Sequence, residues 1–493
     1  MTTTLDAART KRLVALLVGS AFVVILNETI MRVALPELMR EFDVAATTAQ
    51  WLTTAFLLTM AIVIPVTGFL LTRFPLRTVF VAAMGSFSAG TLVAALAPTF
   101  PLLVTGRVVQ AVGTALMMPL LITTILNVVE PERRGRMMGT ISIVISVAPA
   151  IGPTVSGLVL DSLSWRWMFW LVLPIALVAL GLGASWVRNV TEPRRVPVDV
   201  VSVVLSALAF GGLIYGLSSI GESAAGEVLL APWIPLSVGA AALVAFVVRQ
   251  LTLKDRALLD LRAFTVPSFS IAVALVAVSM MALFGTLILL PLFLQDVLGL
   301  TTLQTGLVLL PGGLAMGLLA PVVGRVFDRV GPRPLVAPGA AVTSAALWGM
   351  TTLDATSGRP AVVGLHVLMS IGLALMFTPL LTSALGSLPQ QLYSHGSAIV
   401  STLQLVAGAA GTALFITVMT RGIASGTGAG ASVVDATADG IHTALMYGGA
   451  ISAAAVLVAL LVRRPAESQS QTAAAEPEHG TDRVAVGAPG APR

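Results

Sequence analysis

Cysteine is absent from the 493 residues. That excludes a disulfide framework, a thiol nucleophile and a cysteine-held iron–sulfur or zinc site. Charge is scarce: Asp, Glu, Lys and Arg make up only 10% of the chain, against about 25% in soluble domains. Lysine is almost missing, with Lys11 and Lys254 alone, so positive charge is carried by arginine. The four histidines have no metal-ligand spacing. No GxxxxGK[ST] phosphate loop is present, which argues against direct ATP drive. No ten-residue alternation suggests an outer-membrane barrel.

What is abundant is apolar. The chain is 56% hydrophobic, with a mean hydropathy of +0.95. The apolar residues gather in runs of about 20, the length of a bilayer-spanning helix. These features imply an all-α integral membrane protein with no enzymatic cluster. Fourteen spans are expected, beginning near Leu13, Trp51, Thr78, Leu102, Met138, Trp167, Val200, Val228, Phe269, Thr305, Leu335, Ala361, Ser397 and Ala444. The first run follows "MTTTLDAARTKR" and is too long for a signal peptide, so it reads as a retained helix.

The net charge of +5 does not point to nucleic acid, because the arginines lie in short loops. With the amino terminus inside and fourteen crossings, 22 of the 28 basic residues fall on the cytoplasmic side and 5 on the outer side. Arg107 remains within a span. This asymmetry follows the positive-inside rule and places both termini in the cytoplasm of a multi-pass bacterial inner membrane protein. The tail after Arg464 is rich in Pro, Ala, Ser and Gly and reads as disordered.

Two loops align without gaps at an offset of 256 residues: "GFLLTRFPLR" (Gly68–Arg77) and "GRVFDRVGPR" (Gly324–Arg333). Gly68 matches Gly324, Arg73 matches Arg329, and Arg77 matches Arg333. Thr72 stands where the second copy has Asp328. A duplicated six-helix unit explains the repeat. The expected organisation is a cytoplasmic N-terminus over 1–12, a six-helix bundle over 13–190, and two added helices over 197–250. A second six-helix bundle over 262–463 and the tail over 464–493 follow. Repeat-built carriers bind substrate between their halves and expose it alternately to each side.

The pattern G-x-x-x-D-R-x-G-x-R resembles the loop signature of the major facilitator superfamily. Fourteen spans resemble its drug:proton antiporter branch of the EmrB/QacA type. Further stretches agree: "LNETIMRVALP" (Leu26–Pro36) in the first span, "GRVVQAVGTALMMP" (Gly106–Pro119) in the fourth, "APAIGPTVSG" (Ala148–Gly157) in the fifth and "SWRWMFW" (Ser164–Trp170) opening the sixth. The resemblance implies the major facilitator fold. It also implies proton-driven export of amphipathic small molecules, with no cofactor beyond the proton gradient. The partners are a hydrophobic or amphipathic substrate and the bilayer, with no nucleic acid, the chain acting as a monomer. A uniporter or importer of a small metabolite, and a membrane scaffold or sensor, are the alternatives.

A charge at bilayer depth costs about 3 kcal/mol or more, so intramembrane charges mark function. Glu28 in the first span and Arg107 in the fourth lie at matching depth below the outer boundary. They form either a protonation switch or a fixed ion pair that specifies helix packing. Arg32 is near enough to the surface to snorkel. The family's acid falls at Asn27, and one residue turns a helix by about 100°. Asn27 is therefore expected to keep the polar contact while Glu28 carries the proton, or else Glu28 is structural. Gln110 is one turn from Arg107 and shares its network or acts as interhelical glue.

Gly152, Pro153 and Gly157 are expected to let the fifth span bend and approach its neighbours. Gly113 and the "GAAG" of Gly408–Gly411 suit close packing. In the loops, Gly68, Arg73, Arg77, Gly324, Asp328, Arg329 and Arg333 are expected either to latch the halves or simply to anchor topology. Thr72 and Pro75 depart from the signature and deny the first loop its carboxylate contact. His366 and His395 read as packing residues.

Overall fold

A computed structural model describes residues 7–187, 197, 199–223, 230–354 and 356–462. The tail from 463, the arginines at 188, 194 and 195, and the turn at 224–229 lie outside the described residues. So do the side chains of Arg32 and Pro153, although their backbones are helical.

Among the described residues all regular structure is helical. In chain order the helices are α1 (Ala7–Val33), α2 (Leu35–Phe42), α3 (Ala46–Arg73), α4 (Leu76–Ala95), α5 (Phe100–Val128), α6 (Arg134–Ser162) and α7 (Trp167–Trp186). They continue with α8 (Val200–Ser223), α9 (Trp233–Leu253), α10 (Pro267–Leu292), α11 (Thr302–Val330), α12 (Arg333–Met350), α13 (Arg359–Gly386), α14 (Tyr393–Gly428) and α15 (Val433–Ala459). In hydrocarbon each backbone polar group must be satisfied within its own segment, which selects the helix. Starts are marked locally. Proline occupies the first turn of α5, α10 and α13, where its missing N–H costs nothing. Thr301 and Gln304 close a capping box on α11, and Ser432 accepts from the Asp435 N–H at the start of α15.

Twelve of these helices are long and apolar enough to cross a membrane. The sequence suggested fourteen; α6 and α12 are the two outside that set. Helix α12 has only 18 residues, and Arg333, two further prolines and several small side chains dilute its apolar character. Boundaries also differ. The last span was expected near Ala444, but α15 starts at Val433, where Ser432 caps it, and α14 runs 36 residues. At 1.5 Å per residue α14 is about 54 Å long, well beyond the roughly 30 Å hydrocarbon core. The short α2 was not expected. It turns the chain after α1, with Leu38 buried and the Phe42 ring against Phe100 and Trp165.

Two sets of helices pack chiefly among themselves. Helix α5 lies against α3 and α4, α7 against α4, and α1 against α5, α6 and α7. In the second set α10 packs on α13 and α14, α12 on α13 and α15, and α11 on α13. The sets meet along α6–α11 and α3–α14. Helices α8 and α9 form a hairpin on the outside of that second seam, with α8 touching both α3 and α14. Helix α5 is the most enclosed span and α9 the most exposed.

Small residues decide how closely the first set packs. A Cβ at Gly106 would stand 2.8 Å from the Ala94 amide nitrogen, and one at Gly113 would overlap the Ala83 carbonyl. Helices α4 and α5 thus touch backbone to backbone. In "GAAG", Gly411 brings α14 onto Met281 of α10, and Gly408 faces Phe284. Gly152 abuts Thr29 of α1, where a Cβ would lie 2.5 Å from its Oγ1. Gly157 departs from expectation: it is exposed, and a Cβ there would meet nothing within 4 Å. It sits on the face of α6 turned from α1, so it mediates no close approach.

The connection from α9 to α10 is tied down. Asp199 accepts two hydrogen bonds from Arg249, at 2.7 and 2.8 Å, and pairs with Ser202. The Arg249 guanidinium holds the Asp199 carboxyl down to about 2. Gln250 donates to Ser202 and accepts from the backbone N–H groups of Leu258 and Leu259. Burial pushes the Asp260 carboxyl up, but hydrogen bonds from Arg262 more than offset it and hold it below the usual carboxylate range.

The glycine geometry gives a paired expectation. Gly113→Leu should cost about 3 kcal/mol, the upper end for overpacking. Gly157→Ala should leave stability unchanged or raise it by about 0.5 kcal/mol through helix propensity. Thermal unfolding of the purified protein, followed by intrinsic tryptophan fluorescence, checks both.

Candidate functional site

Arg107 is 2% exposed. Three helices hold it. Its Nη1 donates to Gln110 Oε1 at 2.6 Å, one turn along α5. The same nitrogen donates to Asn27 Oδ1 of α1 at 3.3 Å. Its guanidinium carbon lies 4.0 Å from the centre of the Phe56 ring of α3. Gln110 Nε2 in turn donates to Thr91 Oγ1 of α4 at 2.8 Å, and Thr91 is fully buried. A guanidinium removed from water keeps its charge. Amide oxygens and an aromatic face help to disperse that charge.

Of the residues singled out in the sequence, Asn27, Arg107 and Gln110 come together. Asn27 of α1 is bonded to Arg107, and Glu28 is half-buried one residue along. A step of about 100° per residue places Glu28 on the neighbouring face of α1. The next residue, Thr29, faces α6, with its Oγ1 3.5 Å from the Ala148 carbonyl. Ser156 of α6 donates to the Ile30 carbonyl at 3.0 Å, which fixes α1 against α6. Phe56 and Thr91 were not foreseen; an apolar ring and a threonine in apolar helices carry no sequence signal.

The repeat loops converge on one end of the bundle, the end that carries Arg73, Arg77, Arg133, Arg134, Arg136, Arg325, Arg329 and Arg333. There Asp328 of α11 accepts from the Gly135 N–H at 2.9 Å and the Arg136 N–H at 3.0 Å. Its carboxylate caps the first turn of α6, where helix amides lack partners and the dipole favours negative charge. Gly324 makes this contact possible, since a Cβ there would overlap the Gly135 carbonyl. The first copy makes the equivalent contact without charge: Gly68 packs on His395 and Ala398 of α14, and Thr72 Oγ1 lies 2.9 Å from Ser394 Oγ.

More bonds join the two sets at this end. Thr123 meets Ser397 at 2.8 Å, Ser142 meets Thr378 at 2.8 Å, and Arg134 donates to Tyr393 Oη at 3.0 Å. The loop arginines differ in exposure. Arg77, Arg329 and Arg333 are exposed, while Arg73 lies half-buried beside the Phe69 and Phe74 rings. The glycines, the hydroxyl and the carboxylate make the contact.

His395 borders a cavity of about 500 Å³ between α3, the α9–α10 connection and α14, also lined by Phe69, Thr72, Asp260, Arg262 and Thr265. His366 packs over Gly312 of α11. Both histidines are wedged between helices, as packing residues are. Among the described residues no group of His, Asp and Glu is arranged to hold a metal.

A multi-pass helical bundle of two packed sets, with a buried cation and a latch between the sets, has the form of a secondary transporter. The Major Facilitator Superfamily pattern matches residues 17–412, and the chain belongs to that family. It is 42% identical over 458 residues to the lincomycin resistance protein LmrB of Listeria monocytogenes, covering 92% of this chain and 96% of that one. It is 30% identical over 406 residues to a multidrug resistance protein B homolog of Mycobacterium tuberculosis, covering 80% and 73%. Its relatives are transporters rather than enzymes. The fold is similar to the human organic anion transporter MFSD10, with a TM-score of 0.67 at 14% identity over 91% of this chain and 99% of that one. It is also similar to the proton:xylose symporter XylE, at 0.63 and 14% over 93% and 97%.

Two outcomes test the geometry. In a double-mutant cycle of Phe56→Leu and Arg107→Met, melting temperatures should show a coupling of about 1–2 kcal/mol for a desolvated cation on an aromatic face. Losing the Asp328 cap should weaken the α6–α11 latch by about 1 kcal/mol. In this cysteine-free chain, a Thr378→Cys reporter, fully buried in the wild type, should then label with N-ethylmaleimide roughly fivefold faster when Asp328→Ala is added.

Proposed function

We propose that the protein is a proton-coupled antiporter that exports amphipathic small molecules across the bacterial inner membrane by alternating access. The observation that carries this reading is the Arg107 cluster. A dehydrated, permanently charged guanidinium is held by α1, α3 and α5, with the titratable Glu28 beside its Asn27 partner. A scaffold would gain nothing from its desolvation cost. Proton gain and loss at Glu28 changes the charge on α1 by one, next to a helix contact made by Asn27.

In this reading the two packed sets are the halves of a duplicated carrier, and α8 and α9 are the pair added between them. Helices α6 and α12 also cross the bilayer, because each is packed between spanning neighbours. That gives the fourteen spans of the EmrB/QacA-type drug:proton antiporters. The arginine-rich end faces the cytoplasm, by the positive-inside rule, with both termini on that side. Its Asp328 and Thr72 contacts then make this a cytoplasm-closed state. No cofactor is needed, since the proton gradient supplies the work. The names of the relatives support a lincosamide-like or multidrug substrate.

Reconstituted proteoliposomes test the reading. Labelled lincomycin should move against its gradient only when a pH gradient is imposed, and Glu28→Gln should abolish that gradient dependence while leaving downhill exchange. Flux indifferent to the pH gradient in the wild type would point to a uniporter. Full coupling in Glu28→Gln would move the proton site elsewhere.

A further inference from the structure

Helix α14 carries Ser397, Ser401, Gln404 and Gly408 at successive spacings of four, three and four residues. Such positions form one stripe of a helix. Ser397 is bonded to Thr123 of α5, and Gly408 faces Phe284 of α10. The stripe therefore starts against α5 of the first set and ends against α10 of its own set. Ser401 and Gln404 stand about 6 Å and 10 Å farther along the axis than Ser397, away from the closed end and toward the middle of the bundle.

Both have a defect that Ser397 lacks. The Ser401 Oγ and the Gln404 Nε2 are buried with no hydrogen-bond partner among the described residues. A buried donor without an acceptor costs about 1–3 kcal/mol. Leu or Met at these positions would remove that cost and suit the surrounding spans. Asn27 Nδ2 is also unpartnered, but its amide is committed through Oδ1 to Arg107. Among the described residues nothing uses the two donors on α14.

We propose that Ser401 and Gln404 form a substrate subsite that recognises a hydrogen-bond-accepting oxygen: an amide or lactone carbonyl, or a sugar hydroxyl or ether. The inference rests on the transporter reading above and names the chemistry of its substrate. The donors lie one and two turns beyond the Thr123–Ser397 contact, so separation of α14 from α5 opens the stripe. An amide N–H and a hydroxyl carry no net charge, so they select an acceptor without demanding an anion. A site built to donate rejects an analogue lacking the acceptor far more strongly than it rejects one of altered apolar size. The apolar neighbours on α5 and α10 hold the rest of an amphipathic molecule.

Two probes separate the effect from general damage. Lincomycin offers an amide carbonyl and sugar oxygens; ethidium is an amphipathic cation with no oxygen. Binding to purified protein and flux in proteoliposomes are measured for wild type, Gln404→Met and Ser401→Ala. The expected result is a rise of tenfold or more in the lincomycin Kd and KM for Gln404→Met. A rise of about threefold is expected for Ser401→Ala, with ethidium changed less than twofold in both. Equal losses for both probes would make the residues packing elements and overturn the subsite, as would no change for either. The Ser401→Ala change is small enough to fold if Gln404→Met does not. Wild-type protein that binds lincomycin without moving it would sink the transporter reading while the binding ratios still decide the subsite. Wild-type protein that binds no lincomycin would overturn the acceptor assignment.

Discussion

A guanidinium cannot be deprotonated to escape the cost of leaving water. Once Arg107 is inside the bundle, its neighbours must supply acceptors at hydrogen-bond distance, and the packing of the first set follows from that demand. Gln110 is one turn away on the same helix. Asn27 has to come from α1, and Phe56 from α3. Thr91 orients Gln110 by accepting from its amide nitrogen, which leaves the oxygen for Arg107. That contact requires α4 to lie against α5 at backbone distance, and Gly90, Gly106 and Gly113 allow it. The small residues are where they are because a polar network must be reached from four helices at once.

The latch at the arginine-rich end uses the opposite economy. Its bonds run between separate helices and join neutral hydroxyls or a carboxylate to backbone amides, so each can be broken without stranding a permanent charge. Asp328 caps α6 with charge; Thr72 does the corresponding work at α14 with a hydroxyl. The two seams are thus unequal, although the loops that form them descend from one repeated pattern. A charge-assisted cap on backbone amides is stronger than a hydroxyl pair. The α6–α11 contact is therefore the firmer of the two. The tied α9–α10 connection and the α8–α9 hairpin lie beside the weaker seam, where they add contacts with α14 and α3.

Much of this was legible beforehand, and the reasons are specific. The 256-residue offset between two loops pointed to the paired contacts at one end of the bundle, because Gly68 and Gly324 each meet a neighbouring helix too closely for a Cβ to fit easily. Arg107 and Gln110 stood out because charge and amide are rare in oil. The contacts of Arg107 were less legible. Depth fixes position along an axis and says nothing of rotation about it, so the approach of Phe56 could not be read from the sequence. Gly157 misled for a related reason: a glycine permits close approach, yet only the neighbouring helix decides whether anything approaches.

The sequence by itself determined that the chain is a multi-pass helical membrane protein with two matching loops and a cation within an apolar span. Hydropathy and local backbone satisfaction depend on the order of residues alone, so these properties need no three-dimensional information. Tertiary structure alone decided which face of α1 meets α5 and which loop residues close the seam. It also decided that, among the described residues, Ser401 Oγ and Gln404 Nε2 are buried on α14 without a hydrogen-bond partner. Those outcomes depend on the rotation and separation of helices far apart in sequence. Interdigitating side chains from several segments set that rotation and separation together, and no single stretch encodes them.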